Sequence, residues 1–466
     1  MTEAAGCPAE ARAERLKWYE DAKFGLFIHW GPYSQAGVEA SWPIMTKSAA
    51  KMLGGRQLGE KEYLALPSTF NPVDFDADDW VRKAKAAGMR YLVFTSKHHD
   101  GFCMFDAPGT DYKITNTPFG RDIVRELADA CARQSFGFGL YYSPPDMHHH
   151  GYRDTSVSSL KNWEGQPSRP QWREYLDYME EHLRYLLTEY PNLRLLWFDG
   201  LVEQDKYEPE RFHRMIRSLR PDVLINDRLG DSCDFITTEQ GLPSAVPVVS
   251  DTKGYGITAK QFKRLSTFVG LPVIRNIIRK SYSAVSEEPK PLFKFPVEDY
   301  PDEERFQPWE GCMTMNKTYA YNPDDESWKP SDLLLRMLCR VAARGGNFLL
   351  NVGPSPDGVF PVEADDRLAF IGGWMDGFGE AVYGTTYGLQ SRIKDVVVTR
   401  RGLTSYLMIL KTPETLSLNL PHDFSCFGRA EILGGGTVAL EPEDGGVCLK
   451  IPGDLDFSLP VVVRLN

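Results

Sequence analysis

Residues 193–200, LRLLWFDG, decide the fold of this chain. Four large apolar side chains with no turn former among them predict a strand that is buried on both faces. Asp199 follows at the carboxyl end of that strand. In a parallel sheet wrapped by helices, substrates bind at this end, because the strand holds the side chain and the next loop leaves it accessible. Asp199 is therefore a candidate catalytic carboxylate, although an Asp-Gly pair after a strand also suits a turn or a helix cap.

Seven further segments carry a strand pattern and alternate with segments of helical periodicity. Helices are predicted at 76–88, 121–134, 171–190, 208–219, 331–343 and 361–378. Strands are predicted at 24–31, 90–97, 136–143, 193–198, 222–226, 234–238, 309–315 and 347–353. Eight strands that alternate with helices predict an α/β fold with a (β/α)8-like barrel.

The pattern changes near residue 385, where short alternating runs such as VVVTR and TSYLMIL are separated by Gly, Asp and Pro. Such runs predict a C-terminal antiparallel β-sandwich. We therefore divide the chain into a catalytic barrel, residues 1–384, and a sandwich domain, residues 385–466. Residues 241–307 break the alternation and are too long for an ordinary connection, which predicts an insertion in the barrel.

The composition excludes several classes of function. The 466 residues carry a formal net charge of −11 and no long Lys/Arg run, so nucleic acid is not an expected partner. No apolar span reaches the length of a membrane helix, and the charged start of the chain has no signal-peptide pattern. As given, the chain is expected to be cytoplasmic, or periplasmic or secreted if a signal peptide has been removed.

The eight cysteines form no CxxC pair, which predicts free, mostly buried thiols. The sequence leaves open whether the chain forms a homo-oligomer.

Polar and aromatic residues end most of the predicted strands, and in a barrel these ends converge on one pocket. Each residue alone has a structural explanation, but so many successive strand ends of this chemistry favour a binding site. Imidazoles, carboxylates, an arginine and aromatic rings together suit a sugar. The strand-end residues are His29, His98, His99, Tyr141, Tyr142, Trp197, Asp199, Asp227, Arg228 and Glu239. Metal-ligand spacing is poor, because there is no HExxH and the adjacent His98 and His99 would point to opposite faces of a continuing strand.

Eight motifs, in order along the barrel, resemble those of glycoside hydrolase family 29, the α-L-fucosidases. They are KFGLFIHWGPYS (23–34), TSKHHDGFCMFD (95–106), GLYYSPPD (139–146), LWFDG (196–200), INDRLG (225–230), TTEQ (237–240), WEGCMTMN (309–316) and GGNFLLNVGPSPDG (345–358). The resemblance implies a retaining exo-α-L-fucosidase that hydrolyses terminal α-L-fucose from fucosylated glycans by double displacement through a covalent fucosyl-enzyme. It implies no metal and no other cofactor.

Carried over by motif, Asp199 matches the nucleophile. The residues implied to bind the sugar or to wall its pocket are His29, Trp42, His98, His99, Tyr142, Trp197, Arg228 and Glu310. In many members of the family a glutamate precedes the residue that matches Trp42, whereas Ser41 stands here. Glu39 is a candidate to replace that carboxylate.

Glu239 is the preferred acid/base, because it ends its predicted strand at the face where the pocket lies. Glu310 is the rival from the WEGCMTMN motif, but it lies at the start of its strand and so at the opposite face. Three other functions stay open on the residues alone. They are a glycosidase for a sugar with a similar arrangement of ring hydroxyls, a carbohydrate-binding protein that has lost catalysis, and a metal-dependent barrel hydrolase.

Overall fold

The computed structural model describes residues 9–45, 58–152, 169–199, 204–230, 232–249, 289 and 296–466. Ten strands are described before residue 353: β1 (Phe24–Ile28), β2 (Tyr91–Lys97), β3 (Gly137–Tyr142), β4 (Leu193–Phe198), β5 (Leu224–Ile225), β6 (Ile236–Glu239), β7 (Val246–Pro247), β8 (Val297–Glu298), β9 (Trp309–Thr314) and β10 (Asn347–Val352). All except β7 and β8 form one sheet, in the order β5-β4-β3-β2-β1-β10-β9-β6. Every neighbouring pair in this sheet is parallel.

Helices surround this sheet as its connections. Those described are α1 (Ala9–Ala22), α2 (Trp42–Met45), α3 (Glu60–Ala65), α4 (Ala77–Ala86), α5 (Ile123–Arg133), α6 (Arg169–Glu189), α7 (Pro209–Leu219), α8 (Ser331–Ala343) and α9 (Val362–Phe378). Two of them begin at an aspartate whose carboxylate accepts a backbone N–H bond: Asp76 caps α4 and Asp122 caps α5. The predicted (β/α)8-like barrel is confirmed.

Successive side chains of a barrel strand point alternately to the helices and to the barrel interior. In β3, Leu140 and Tyr142 belong to the core beneath the helices, whereas Tyr141 belongs to a separate interior cluster. Trp197 of β4 lies in the same interior cluster. This alternation decides which residues near the strand ends face the pocket.

The barrel closes between β5 and β6 through a single parallel bridge, Asn226–Phe235. Side chains supply further bonds at this seam and beside it. The Asn226 amide donates to the backbone O of Phe198 at 2.9 Å and accepts from its N–H at 2.8 Å, which ties β4 to the residue after β5. The Asp234 carboxylate accepts from the backbone N–H of Ile225 at 2.9 Å. Asp234 also forms ion pairs with Arg15 of α1 and Arg217 of α7.

The rest of the chain is antiparallel. Its strands are β11 (Thr386–Tyr387), β12 (Val396–Arg401), β13 (Thr404–Ile409), β14 (Ser417–Pro421), β15 (Ala430–Ile432), β16 (Thr437–Val438), β17 (Leu440–Glu443), β18 (Gly446–Lys450) and β19 (Val461–Leu465). They form a six-stranded sheet, β11-β12-β13-β19-β15-β16, and a three-stranded sheet, β14-β18-β17. Leu407 and Val463 of the first sheet share one core with Leu418 and Leu449 of the second. The predicted C-terminal sandwich is confirmed, and the boundary at 384/385 stays a prediction.

Within the described residues, no helix combines the length and the hydrophobicity that a membrane span needs. The seven described cysteines are all free; five are buried, Cys233 is half-buried and Cys426 is exposed. The expectation of free, mostly buried thiols is confirmed for these seven. Of the predicted insertion at 241–307, residues 250–288 and 290–295 lie outside the described residues.

Candidate active site

A pocket opens at the carboxyl ends of the barrel strands, and most of the predicted site residues line it. His29 follows β1, two histidines follow β2, Asp199 follows β4 and Glu239 ends β6. The predicted residues in the lining are His29, Trp42, His98, His99, Trp197, Asp199 and Glu239. The Asp199 and Glu239 side chains keep 20% and 25% of their surface exposed, so a ligand can reach both carboxylates.

Three side chains surround the Asp199 carboxylate. The Tyr141 hydroxyl donates a hydrogen bond to Oδ2 at 2.9 Å, and Arg228 Nη1 donates to Oδ1 at 3.3 Å. His99 Nε2 lies 3.8 Å from Oδ2. Each oxygen thus has its own donor, which fixes the orientation of the carboxylate toward the pocket.

Arg228 joins the two pocket carboxylates. Its Nη2 donates to Glu239 Oε1 at 2.5 Å, while Nη1 contacts Asp199. Its Nε donates to the Thr237 hydroxyl at 3.1 Å, which fixes the plane of the guanidinium. Burial raises the pKa of Glu239 above its ordinary value; Arg228 opposes this shift and the Asp199 charge adds to it. The net shift favours the protonated form of Glu239, which is the form a general acid needs.

The three pocket histidines are buried and neutral. Burial lowers the pKa of His29 and of His99 to about 3, and that of His98 also falls well below its usual value. Each uses Nδ1 for a partner behind the pocket wall: Asn351 Oδ1 at 2.7 Å for His29, Ser143 Oγ at 2.5 Å for His99, and Ser41 Oγ for His98. Each therefore keeps its Nε2 for other contacts.

His98 and His99 do not point to opposite faces, as a continuing strand would require. β2 ends at Lys97, and the two imidazole centroids lie only 4.2 Å apart. Both rings line the pocket. Opposite faces were expected only if the strand continued through both residues, and it does not, because the backbone leaves the strand at Lys97.

Ser41 and Glu39 lie on the segment that carries Trp42. Ser41 Oγ bonds to His98 and accepts from the backbone N–H of Asp100 at 3.0 Å, so it supports the wall. Glu39 lines the pocket, but its two oxygens accept from the backbone N–H groups of Tyr319 and Ala320 at 2.9 and 3.0 Å. Burial raises the pKa of Glu39 to about 7, although these two bonds oppose the shift.

Tyr142 does not belong to the pocket, contrary to the assignment by motif. It packs among the helices, its hydroxyl lies 3.3 Å from His182 Nδ1, and Lys97 Nζ lies 4.8 Å from its ring. Tyr141 lines the pocket instead and bonds to Asp199. Side chains alternate along β3, so only one of the two adjacent tyrosines can face the barrel interior. Tyr141 does so, on the same face as Gly137 and Gly139.

Glu310 does not reach the pocket either. It is the second residue of β9, fully buried at the end of the strand far from the pocket. Its Oε1 accepts from Trp197 Nε1 at 2.9 Å and its Oε2 from the Tyr91 hydroxyl at 2.5 Å. The structure therefore contradicts both contact of Glu310 with the sugar and its rival role as acid/base, and Glu239 is the candidate that remains.

Sequence reasoning missed several lining residues: Phe27, Ala40, Cys312 and Tyr319. Phe27 and Cys312 follow the same inward alternation as Trp197 and could have been found from it. Tyr319 lies on the loop after β9 and carries no such signal.

Within the described residues, three possible metal ligands approach within 4.8 Å of one another only at His149, His150 and Glu174, outside the pocket lining. There the Gly151 backbone N–H donates to His149 Nδ1, and His150 Nε2 lies 3.0 Å from Glu174 Oε1. The absence of a metal from the active site stays a prediction.

Comparison with known proteins gives one consistent result. The α-L-fucosidase family profile matches residues 7–253 and 272–380. The plasma α-L-fucosidase of Rattus norvegicus is 28% identical, with 93% of this chain and 87% of that protein covered. A putative α-L-fucosidase of Caenorhabditis elegans is 27% identical over 79% of this chain, which spans 66% of that protein.

Solved structures of α-L-fucosidases also resemble this chain. The α-L-fucosidase isoenzyme 1 of Paenibacillus thiaminolyticus superimposes with a TM-score of 0.76 at 29% identity and covers 98% of this chain and 99% of its own. A family 29 α-L-fucosidase of Bacteroides thetaiotaomicron, trapped as a covalent intermediate, gives 0.75 at 23% identity over 100% and 98%, which is a likeness of fold. Because the family profile matches most of the barrel, this chain belongs to the α-L-fucosidase family, glycoside hydrolase family 29.

Proposed function

We propose that this chain is a retaining exo-α-L-fucosidase that releases terminal α-L-fucose from fucosylated glycans through a covalent fucosyl-enzyme. One observation carries the proposal: a single guanidinium, Arg228, bonds to both Asp199 and Glu239 in one pocket. Retaining glycosidases need two carboxyl groups on either side of one glycosidic bond, roughly 5 to 5.5 Å apart. Family membership indicates that the sugar is fucose, and the paired carboxylates are the two groups that the retaining reaction needs.

Asp199 is the nucleophile in this proposal. Its carboxylate attacks the anomeric carbon of fucose, and the bond to the leaving oxygen breaks as Glu239 donates a proton to that oxygen. Water then enters, Glu239 removes its proton, and the resulting hydroxyl displaces Asp199 from the anomeric carbon. Two inversions leave the configuration unchanged. The bonds from Tyr141 and Arg228 keep Asp199 oriented for attack.

The two carboxyl groups differ in the way that these roles require. Burial favours the protonated form of Glu239, which an acid needs. Asp199 receives hydrogen bonds from Tyr141 and Arg228, which orient its carboxylate for attack. The difference in environment supports this division of roles over the reverse one.

The walls of the pocket suit a single sugar ring. Neutral imidazoles of His29, His98 and His99 can exchange hydrogen bonds with ring hydroxyls without a charge penalty. Trp42 lies edge-on to His99, with ring centroids 6.0 Å apart, and gives an apolar surface beside them. A pocket that barrel side chains close from below admits the end of a glycan and supports exo action.

Relatives support the same chemistry. The Paenibacillus thiaminolyticus and Rattus norvegicus proteins are both named as α-L-fucosidases. The Bacteroides thetaiotaomicron structure was trapped with 2-fluoro-fucosyl fluoride, a reagent that forms a covalent glycosyl-enzyme. A covalent adduct of this kind is the expected intermediate here.

The test is release of 4-nitrophenol from its α-L-fucoside, with chelator present throughout. We expect the wild type to turn over and Asp199→Ala to lose at least about a thousandfold in kcat, since the nucleophile is gone. Asp129→Ala removes an exposed aspartate of α5 and is the matched control. Mass spectrometry of the wild type after 2-fluoro-fucosyl fluoride should find the label on Asp199. A wild type that binds L-fucose but hydrolyses neither the aryl fucoside nor fucosylated oligosaccharides would instead be a carbohydrate-binding protein.

A further inference from the structure

Glu310 is a buried carboxyl group that the proposed reaction does not use. Cys312, two residues further along β9, lines the pocket, so Glu310 lies one layer of side chains below it, about 7 Å along the strand. Its side chain is fully buried, and no described Lys or Arg forms an ion pair with it. A buried carboxyl without a cation costs stability, which calls for a functional reason.

Both oxygens of Glu310 are held by neutral donors. The indole N–H of Trp197 can only donate, and it bonds to Oε1 at 2.9 Å. The Tyr91 hydroxyl bonds to Oε2 at 2.5 Å and receives the Asn347 amide at 3.4 Å, so its own proton is directed to Glu310. The carboxylate therefore fixes the position of the Trp197 ring from below.

The Trp197 ring in turn contacts both side chains that bond to Asp199. It stacks on Tyr141, with centroids 5.7 Å apart and planes at 18°, and the Arg228 guanidinium lies 5.6 Å from its centroid. Tyr141 bonds to one oxygen of Asp199 and Arg228 to the other. One indole thus contacts both Tyr141 and Arg228, which donate hydrogen bonds to the nucleophile.

We propose that Glu310 is a positioning residue: its carboxylate anchors the Trp197 indole and, through it, the Tyr141 and Arg228 side chains that orient Asp199. The inference rests on the proposed fucosidase reaction. Glu310 touches neither the sugar nor the leaving group, and it acts only through Trp197.

The experiment compares Glu310→Met, which removes the acceptor, with Glu310→Gln, which keeps an oxygen for the indole. Substrates are 4-nitrophenyl α-L-fucoside and methyl α-L-fucoside, whose leaving groups need little and much protonation respectively. We expect Glu310→Met to lose roughly ten- to a hundredfold in kcat/KM on both substrates alike, and Glu310→Gln only about threefold. Azide should accelerate neither variant, because the acid/base is intact.

A double-mutant comparison tests the route through Trp197. Trp197→Phe has no N–H to anchor, so adding Glu310→Met to it should cost little more, less than about threefold. An unchanged full loss in that background would overturn the proposal. A greater loss on the methyl fucoside than on the aryl fucoside, or rescue by azide, would also overturn it, since both mark an acid/base.

A measurement without turnover separates this inference from the proposed function. The Trp197 indole N–H resonance, identified by its loss in Trp197→Phe, should move upfield in Glu310→Met and less in Glu310→Gln. An unmoved resonance would refute the anchor. A wild type that is inert on all fucosides would refute the proposed function and leave the indole result to decide the role of Glu310.

Discussion

Replacing Glu310 by Gln should change the pH dependence of barrel stability. Burial raises the pKa of Glu310 from the ordinary value of 4.5 to about 7 in the folded protein, while hydrogen bonds from Tyr91 and Trp197 oppose the shift. Between these two pH values the folded barrel holds a proton that the unfolded chain releases. Protonation therefore stabilises the fold fully below pH 4.5, and that contribution is lost as the pH rises through about 7.

The size of the effect follows from the shift. At about 1.4 kcal/mol per pKa unit, the loss is about 3 kcal/mol across this range. Glutamine does not titrate, so the free energy of unfolding of the wild type, measured relative to Glu310→Gln, should fall by that amount between pH 4 and pH 8. Glu363→Gln removes an exposed carboxyl of α9 and is the matched control.

Urea unfolding followed by tryptophan fluorescence measures this difference in the barrel. All ten tryptophans lie between residues 18 and 374, so the signal comes from the barrel and not from the sandwich. A difference that stays constant within about 1 kcal/mol from pH 4 to pH 8 would refute the reasoning, because the carboxyl would then have no raised pKa in the folded state.

The active site gives three further predictions. Glu239→Ala should lose far more kcat/KM on methyl α-L-fucoside than on 4-nitrophenyl α-L-fucoside, because the methyl leaving group needs the proton more. Azide should restore its turnover of the aryl substrate. Equal losses on the two substrates would contradict the acid/base role. Because burial raises the pKa of Glu239 and the acid must be protonated, wild-type kcat/KM should fall as the pH rises through that pKa, and a flat alkaline profile would contradict this. Tyr141→Phe should lower kcat about tenfold or more, because it removes the hydrogen bond to one oxygen of Asp199. Tyr142→Phe is the matched control behind the pocket wall, and its kcat should stay within about threefold of the wild-type value. The reverse order of the two effects would restore the assignment by motif.

The sequence predicted the barrel well because the strand pattern and the helix pattern are both local in the sequence. Alternating strand and helix patterns located all eight parallel strands, and β4 lies where LRLLWF predicted it. The weakest match is β5, which has two residues, 224 and 225, against the five predicted, and the next residue, Asn226, forms the single closing bridge to Phe235.

The site was predicted in part. Residues that follow a strand directly, such as His29 and Asp199, were found because a strand end fixes their location. Tyr142 was assigned in place of Tyr141, because the two are adjacent and only the register of β3 with β4 shows that Tyr141 pairs with Trp197. Bonds between distant segments, such as that of Glu39 with the loop at Tyr319, leave no trace in either segment alone.

The seam between β5 and β6 makes the active site unusually exposed to mutation. In a full backbone ladder the inter-strand bonds do not depend on the side chains, because every residue except proline supplies the same N–H and C=O. Here the seam between β5 and β6 depends on the Asp234 carboxylate, and the join of β4 to the residue after β5 depends on the Asn226 amide. Arg228 lies two residues after Asn226, and Glu239 ends β6. Replacing Asn226 or Asp234 should therefore disturb the relative positions of Asp199 and Glu239, although neither residue is in the pocket lining.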